Sequence, residues 1–271
     1  MSRRLNSYQR YISSLPTYRA NAIVLRRTNF GETDRILTLY SREHGRLSAI
    51  AKGARRSTSK LGAGSELFTF GRYMLATGRS LDVLSQSETR ESFPSIRDDL
   101  HAIAYATYII ELLNETVEDN DPNPDMFDTL LSCLYLLEGG VDPETVARSF
   151  ELHLMTTSGY RPHVGNCARC TGALPRERIA FSTSTGGTVC DKCGPLPEDT
   201  IYIHRATMNM VTTLLSAEPQ QLKDLKMSKG VRTELANIMK WYIRYRLDRE
   251  LKSVEFIQAL KAGGHTSPHH S

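Results

Sequence analysis

Four cysteines place the firmest constraint on this chain. Cys167-Ala-Arg-Cys170 and Cys190-Asp-Lys-Cys193 are two C-x2-C pairs with 19 residues between them. Each pair can place two thiolates on one ion, and two such pairs at this separation have the spacing of a four-cysteine zinc site. Gly186-Gly187 can serve a tight turn before the second pair. Four thiolates fill a tetrahedron and leave no position for a reacting water, so a single Zn2+ on Cys167, Cys170, Cys190 and Cys193 reads as structural rather than catalytic. Arg169 and Lys192, which lie between the ligands, offset its negative charge. Direct contact of the module with nucleic acid is the less favoured role for them.

The N-terminal residues carry charge but lead into no apolar segment of the signal-peptide kind, and no apolar run approaches the roughly 20 residues that a bilayer requires. A cytoplasmic protein is therefore expected, in a compartment where thiols serve metals more often than disulfides. The fifth cysteine, Cys133, lies in an apolar helical stretch and reads as core.

At 271 residues the protein is long for one domain and comfortable for two. Its charge is segregated. Residues 1–90 hold 16 Lys and Arg against 6 Asp and Glu, residues 91–166 hold 3 against 14, and residues 167–271 hold 15 against 10. A basic first third next to an acidic middle is the distribution of a protein that meets a polyanion with one domain.

The hydrophobic pattern changes at the same boundary. Short β-branched and apolar runs at Ala20–Leu25, Arg35–Tyr40, Arg46–Lys52, Leu67–Phe70, Tyr73–Gly78 and Leu81–Leu84, parted by Gly-bearing turns, predict about five strands in a small closed barrel. An oligonucleotide-binding (OB) barrel fits best, although pattern alone does not separate it from an SH3-like barrel. From about Asp98 the period becomes helical, with helices expected from Leu100 to Asn114, from Met126 to Leu137, from Pro143 with Asp142 as N-cap to Gly159, from Ala206 to Ser216 and from Val231 to Lys252. The expected fold is α+β. It places a basic barrel at 1–90, a helical domain in two parts at 91–166 and 201–260, a zinc module at 167–200 and a disordered tail at 261–271.

Lys52, Arg55, Arg56 and Lys60 share a Gly/Ser/Thr-rich stretch with no acid among them. Such an arm can lay cations along phosphates, binding by counterion release without regard to sequence. Phe68, Phe70 and Tyr73 lie close by and could stack on bases, but at strand spacing at least two of them read as barrel core. Trp241, Tyr242 and Tyr245, with Arg244, Arg246 and Arg249, form a basic amphipathic helix. Packing on its aromatic face is favoured over peptide binding. His153 and His163 are isolated, and His265, His269 and His270 belong to the polar tail. No H-E-x-x-H, G-x-x-x-x-G-K-[ST], G-x-S-x-G or deaminase-type zinc motif occurs, so an enzyme is not expected. A sequence-specific zinc-ribbon transcription regulator is the alternative, opposed by the acidic character of the 91–166 helices.

Three sets of residues resemble the RecO family of recombination mediators. They are Glu32–Arg46 followed by Ala51–Arg56, then Glu111–Thr116 through Pro122-Asn-Pro124 to Leu131, and Gly159–Pro162 with the cysteine pairs. Leu247–Leu260 is similar to the family's closing helix. The resemblance implies an OB barrel, a helical domain and a zinc module with no catalytic centre. It implies a DNA-repair factor that binds single-stranded and double-stranded DNA and anneals complementary strands. It also implies binding to the partner RecR and to the C-terminal tail of single-strand-binding protein, so that the recombinase RecA can load, on the bacterial nucleoid. Members differ in whether all four cysteines are present, and the full set here implies zinc. Carried onto this sequence, the DNA contacts fall on Lys52, Arg55 and Arg56, with Arg35 and Arg46 on adjoining strands.

Overall fold

The computed structural model describes residues 15–248 and 251–263. The protein divides into two compact units. One takes the sequence up to Pro94 together with Asn114–Leu134, and the other takes Ser95–Leu113 and everything from Tyr135 onward.

In the first unit, β1 (Thr17–Phe30), β2 (Asp34–Ser41), β3 (Gly45–Ala51), β4 (Phe70–Ala76) and β5 (Asp82–Glu91) close into a barrel in the order β1-β2-β3-β5-β4, with β4 pairing back onto β1. Every pairing is antiparallel except β3 with β5, which meet in parallel through Ala49 opposite Asp82 and Ile50 opposite Val83. That strand order is OB-like, which decides the choice that strand patterning leaves open. Side chains alternate across the sheet, so Ala20, Ala22 and Val24 of β1 and Leu37 and Leu39 of β2 share the interior with Leu47, Ala49, Tyr73, Leu75 and Leu84.

Leu67–Phe70, expected as a strand, is mostly a turn. Phe68 adopts a left-handed backbone, φ 66°, with its ring buried, and only Phe70 joins β4. The Phe68 N–H donates to the Val24 carbonyl and the Val24 N–H to the Thr69 carbonyl, beside a register shift in β1 between Val24 and Arg26. Local pairing to an irregular stretch of β1 has replaced a regular ladder.

Residues 114–134 complete this unit. The Asn120 N–H donates to the Arg46 carbonyl, and Gly45 (φ 69°) lies so close to Asp121 that a Cβ there would collide with its backbone. The Phe127 ring packs against Tyr40 and Phe70, with centroids 6.3 and 6.0 Å apart, and is itself buried.

In the second unit the helices are α1 (Pro94–Asp98), α2 (Leu100–Thr116), α3 (Pro124–Glu138), α4 (Pro143–Thr157), α5 (Arg205–Ser216), α6 (Lys229–Leu247) and α7 (Lys252–Gly263), of which the end of α2 and the start of α3 belong to the first. A three-stranded sheet, β6 (Arg178–Ser182), β7 (Gly187–Val189) and β8 (Thr200–His204), has the order β7-β6-β8. Helix α4 starts as expected, with Asp142 accepting from the Thr145 N–H and proline in its first turn. A single helix from Val231 to Lys252 does not form. Asp248 turns left-handed (φ 50°) and ends α6, and α7 restarts where the Glu111 carboxylate accepts the N–H groups of Lys252 and Ser253. The expected tail at 261–271 begins inside α7, and its residues beyond 263, with His265, His269 and His270, lie outside the described residues, as does Arg249.

The core of this unit holds an ionisable group. The Glu151 carboxylate is fully buried, 2.9 Å from the Arg148 guanidinium, and accepts the Tyr108 hydroxyl. Burial pushes Glu151 up to about 7, and Arg148 and Tyr108 only partly offset it.

Two outcomes follow from these cores. Phe127→Ala is expected to cost about 3–5 kcal/mol in denaturant titration, since a buried ring is lost between Tyr40 and Phe70. Glu151 holds its proton to higher pH when folded than when unfolded. Its contribution to stability is therefore greatest below about pH 4.5, declines as pH rises through about 7 and is level above that. Glu151→Gln should remove this limb from the stability–pH curve while leaving a pH-independent offset from Arg148, and melts at half-unit pH steps would show it.

Candidate nucleic-acid interface and metal centre

The loop after β3 carries Lys52, Arg55, Arg56 and Lys60, all exposed. It is fastened rather than loose. The Gly53 N–H donates to the Asp34 carboxylate at 2.8 Å, the Arg55 N–H to the Thr33 carbonyl at 2.9 Å, and Ala54 is buried in the barrel core. The Arg55 guanidinium donates to the carbonyls of Glu32 (3.0 Å) and Gly31 (3.3 Å), which ties the loop to the β1–β2 turn. At that turn Phe30 stands 52% exposed, in a stretch from Arg26 to Gly31 that faces solvent throughout.

The two outlying arginines are differently placed. Arg35, with a side chain 15% exposed, donates to Ser65 Oγ and to the Glu66 carboxylate, which also takes Arg27. Arg46, 23% exposed, is paired with Asp119 at 2.6 Å and donates to the Asn114 carbonyl. Phe68 and Tyr73 are buried and Phe70 packs on Phe127, so none of the three offers a free ring face. Phe30 does. Its only signal in the sequence is an apolar residue placed directly before the Gly31-Glu-Thr turn.

In the second unit the four cysteine sulfurs all lie within 4.8 Å of one another. Cys167 and Cys193 are 3.7 Å apart, and Cys190 is 3.5 Å from both Cys170 and Cys193. Four thiolates bound tetrahedrally at about 2.3 Å would be about 3.8 Å apart, so the set fits one ion. The first pair is wound by the Thr171 N–H donating to the Cys167 carbonyl and the Cys167 N–H donating to Gly172, with Thr171 left-handed. The two pairs are joined by the Cys190 N–H, 3.3 Å from the Cys167 sulfur, and by Arg169, which donates to the Pro195 carbonyl. The Gly186-Gly187 turn is as expected. Gly186 is left-handed, and a Cβ on Gly187 would strike the His163 carbonyl.

Burial resists ionisation of Cys167, but N–H donors from Cys190, Cys170 and Arg169 prevail and lower it to about 6. The Cys190 thiol and burial hold Cys193 up at about 12. Four thiolates coexist here only around a cation. At the end of β6 Asp199 accepts from Ser182, Thr183 and Ser184, and these bonds overcome its burial and bring it down to about 2.

A cavity of about 210 Å³ lies where α6 meets α7, lined by Tyr108, Ile243, Leu251 and Val254 together with Lys240, Arg244, Glu255 and Gln258. The aromatic face of α6 is only partly packed. Tyr242 is buried, whereas Trp241 and Tyr245 are exposed. Cys133 is buried as expected, and His163 contacts Asn166. Among the described residues no helix is long and apolar enough to cross a membrane.

Comparison with known proteins gives a consistent picture. The family model described as recombination protein O N terminal matches residues 15–93, and that described as recombination protein O C terminal matches residues 97–255. The sequence is similar to the DNA repair protein RecO of Pelotomaculum thermopropionicum, 40% identical over 240 residues that cover 89% of this protein and 93% of the relative. It is also similar to the protein of that name from Desulfitobacterium hafniense strain DCB-2, 36% identical over 87% of both proteins. The one from Roseiflexus sp. strain RS-1 is 34% identical over 90% of this protein and 86% of its own length.

Replacing Cys167 and Cys190 together by Ser should leave less than about one metal ion per ten molecules by elemental analysis and lower the soluble yield. A stable, soluble, metal-free double variant would show that the cluster does not hold the module together.

Proposed function

The chain belongs to the RecO family of DNA repair proteins, and on that premise we propose that it is a recombination mediator with no catalytic step of its own. It binds single-stranded and double-stranded DNA through the barrel, anneals complementary strands and helps load recombinase onto strands covered by single-strand-binding protein. It works in the cytoplasm, on the nucleoid. The observation that carries this reading is the set of four exposed cations on one fastened loop of an OB-like barrel, next to an exposed phenylalanine. Cations held at fixed positions contact phosphates without the cost of ordering a free arm, and Phe30 offers a ring to a base. Lys52, Arg55, Arg56 and Lys60, all exposed, carry the main contact, and Arg35 and Arg46, with side chains 15% and 23% exposed, are the lesser ones on the adjoining strands.

Annealing needs no bond chemistry. Two strands repel as like charges, and a cationic surface that screens both lowers that barrier while bases stay free to pair. The four cysteines hold one structural Zn2+, favoured by an all-thiolate set, which cross-links a module whose own apolar core is small. The cavity at α6 and α7 suits the C-terminus of a peptide, with an apolar side group against Ile243, Leu251 and Val254 and the terminal carboxylate on Lys240 or Arg244. The tail of single-strand-binding protein would dock there. RecR is the second partner.

Lys52→Glu, Arg55→Glu and Arg56→Glu combined should leave the melting temperature within a few degrees of wild type. Affinity for a random single-stranded oligonucleotide should fall about tenfold or more in roughly 0.1 M salt, and the slope of log affinity against log salt should shrink by about two. Annealing of complementary oligonucleotides, followed by energy transfer, should slow in parallel. A folded triple variant that binds and anneals like wild type would overturn the assignment.

A further inference from the structure

We propose that α6 carries a second contact for single-stranded nucleic acid, separate from the barrel loop and built on Trp241 and Tyr245. The inference rests on the reading that nucleic acid is this protein's ligand. It comes from what the helix leaves unburied. Helix α6 packs through Val231, Leu235, Ile238, Met239, Tyr242 and Ile243, which satisfies its inward face. Trp241 and Tyr245 lie one turn apart along one flank of that face, 44% and 54% exposed. No aliphatic side chain on the helix shares that exposure, so the strip offers ring faces rather than the continuous apolar surface an amphipathic partner helix requires.

Cations bracket the rings. Lys240 Nζ lies 5.9 Å and the Arg244 guanidinium 5.8 Å from the Trp241 ring centroid. The Arg246 guanidinium lies 5.2 Å from the Tyr245 ring and 5.2 Å from that of Tyr160, itself exposed, while donating to the Thr183 carbonyl at 3.1 Å. Arg246 thus holds Tyr245 and Tyr160 in place. From Lys240 to Leu247 there is no acid. The nearest acid in sequence is Asp248, the exposed C-cap of the helix, and Glu234, further back, already accepts from His204 and Thr207. Glu255 faces the cavity from α7. Rings that take bases and cations that take phosphates, with neither reading base edges, make a sequence-tolerant single-strand surface. Lys240 and Arg244 also border the cavity, so a strand and a docked C-terminus draw on one pair of charges.

Trp241 is the protein's single tryptophan, so the full-length molecule reports on this surface directly. Oligothymidylate of about 20 residues would be titrated while tryptophan emission and the anisotropy of a dye on the oligonucleotide are read in parallel. The expected result is saturable quenching with the same midpoint as the anisotropy. In the Lys52→Glu, Arg55→Glu, Arg56→Glu background the quenching should persist at a higher midpoint, and adding Tyr245→Ala should weaken that residual binding about fivefold or more with the melt unchanged. Anisotropy that saturates while emission stays constant would overturn the proposal and leave the barrel reading intact. So would a folded Trp241→Ala, Tyr245→Ala variant in the triple background that binds as its parent does. Quenching by polyglutamate but not by oligothymidylate would make this a peptide surface and reject the proposal. No anisotropy change with wild type would sink the function proposed for the whole protein, and this contact with it.

Discussion

The barrel unit hangs on a short parallel junction. Two residue pairs, Ala49 with Asp82 and Ile50 with Val83, join the two edges of a five-stranded sheet of order β3-β2-β1-β4-β5 into a closed surface. Closure removes the sheet's open edges, which would otherwise invite pairing with other proteins. It also sets where the functional loop begins, because β3 ends at Ala51 and Lys52 follows immediately. A hydrogen bond from the Tyr18 hydroxyl to Asp82, the first residue of β5, ties β1 to the same junction. The small side chains of Ala49 and Ala51, both buried, leave room there for Leu75 and Leu84.

The second unit solves a different problem. Around its cysteines the apolar cluster consists of Cys167, Ala180, Val189 and Cys190, with Leu174 and Leu196 packed against it. The sheet buries Ile179, Phe181 and Ile203 as well, with Phe181 against Tyr242, but the two cysteine loops have only that small cluster, and one ion on the four sulfurs would supply the cross-link they lack. Asp199, accepting from Ser182, Thr183 and Ser184, secures the sheet's turn by the same logic of polar anchoring.

Much of this was legible in the sequence because the signals were local. The cysteine spacing, the Asp142-Pro143 start of α4 and the alternation of β2 each follow from a few neighbouring residues. What was missed depends on distant partners. Nothing in the sequence near Arg35 or Arg46 announces their ion pairs with Glu66 and Asp119. Phe68 sits in an apolar run and reads as strand, but pairing with Val24 bends it into a left-handed turn. The end of α6 at Asp248 carries no glycine or proline to mark it, and the helical rhythm runs on through it. Trp241 and Tyr245 read as a packed face because large rings usually are buried, and only the helix's actual contacts show that Tyr242 alone takes that role.

The discontinuity of the barrel unit bears on how the protein is made. All five strands lie within the first 91 residues, yet the cover that seats Phe127 on Tyr40 and Phe70 and presses Asp121 against Gly45 comes from residues 114–134. A ribosome that has delivered the strands has delivered a barrel with an open apolar flank. That flank stays uncovered until roughly 40 further residues have cleared the exit tunnel, and translation speed across the acidic stretch that follows sets how long the nascent polypeptide is exposed to wrong partners.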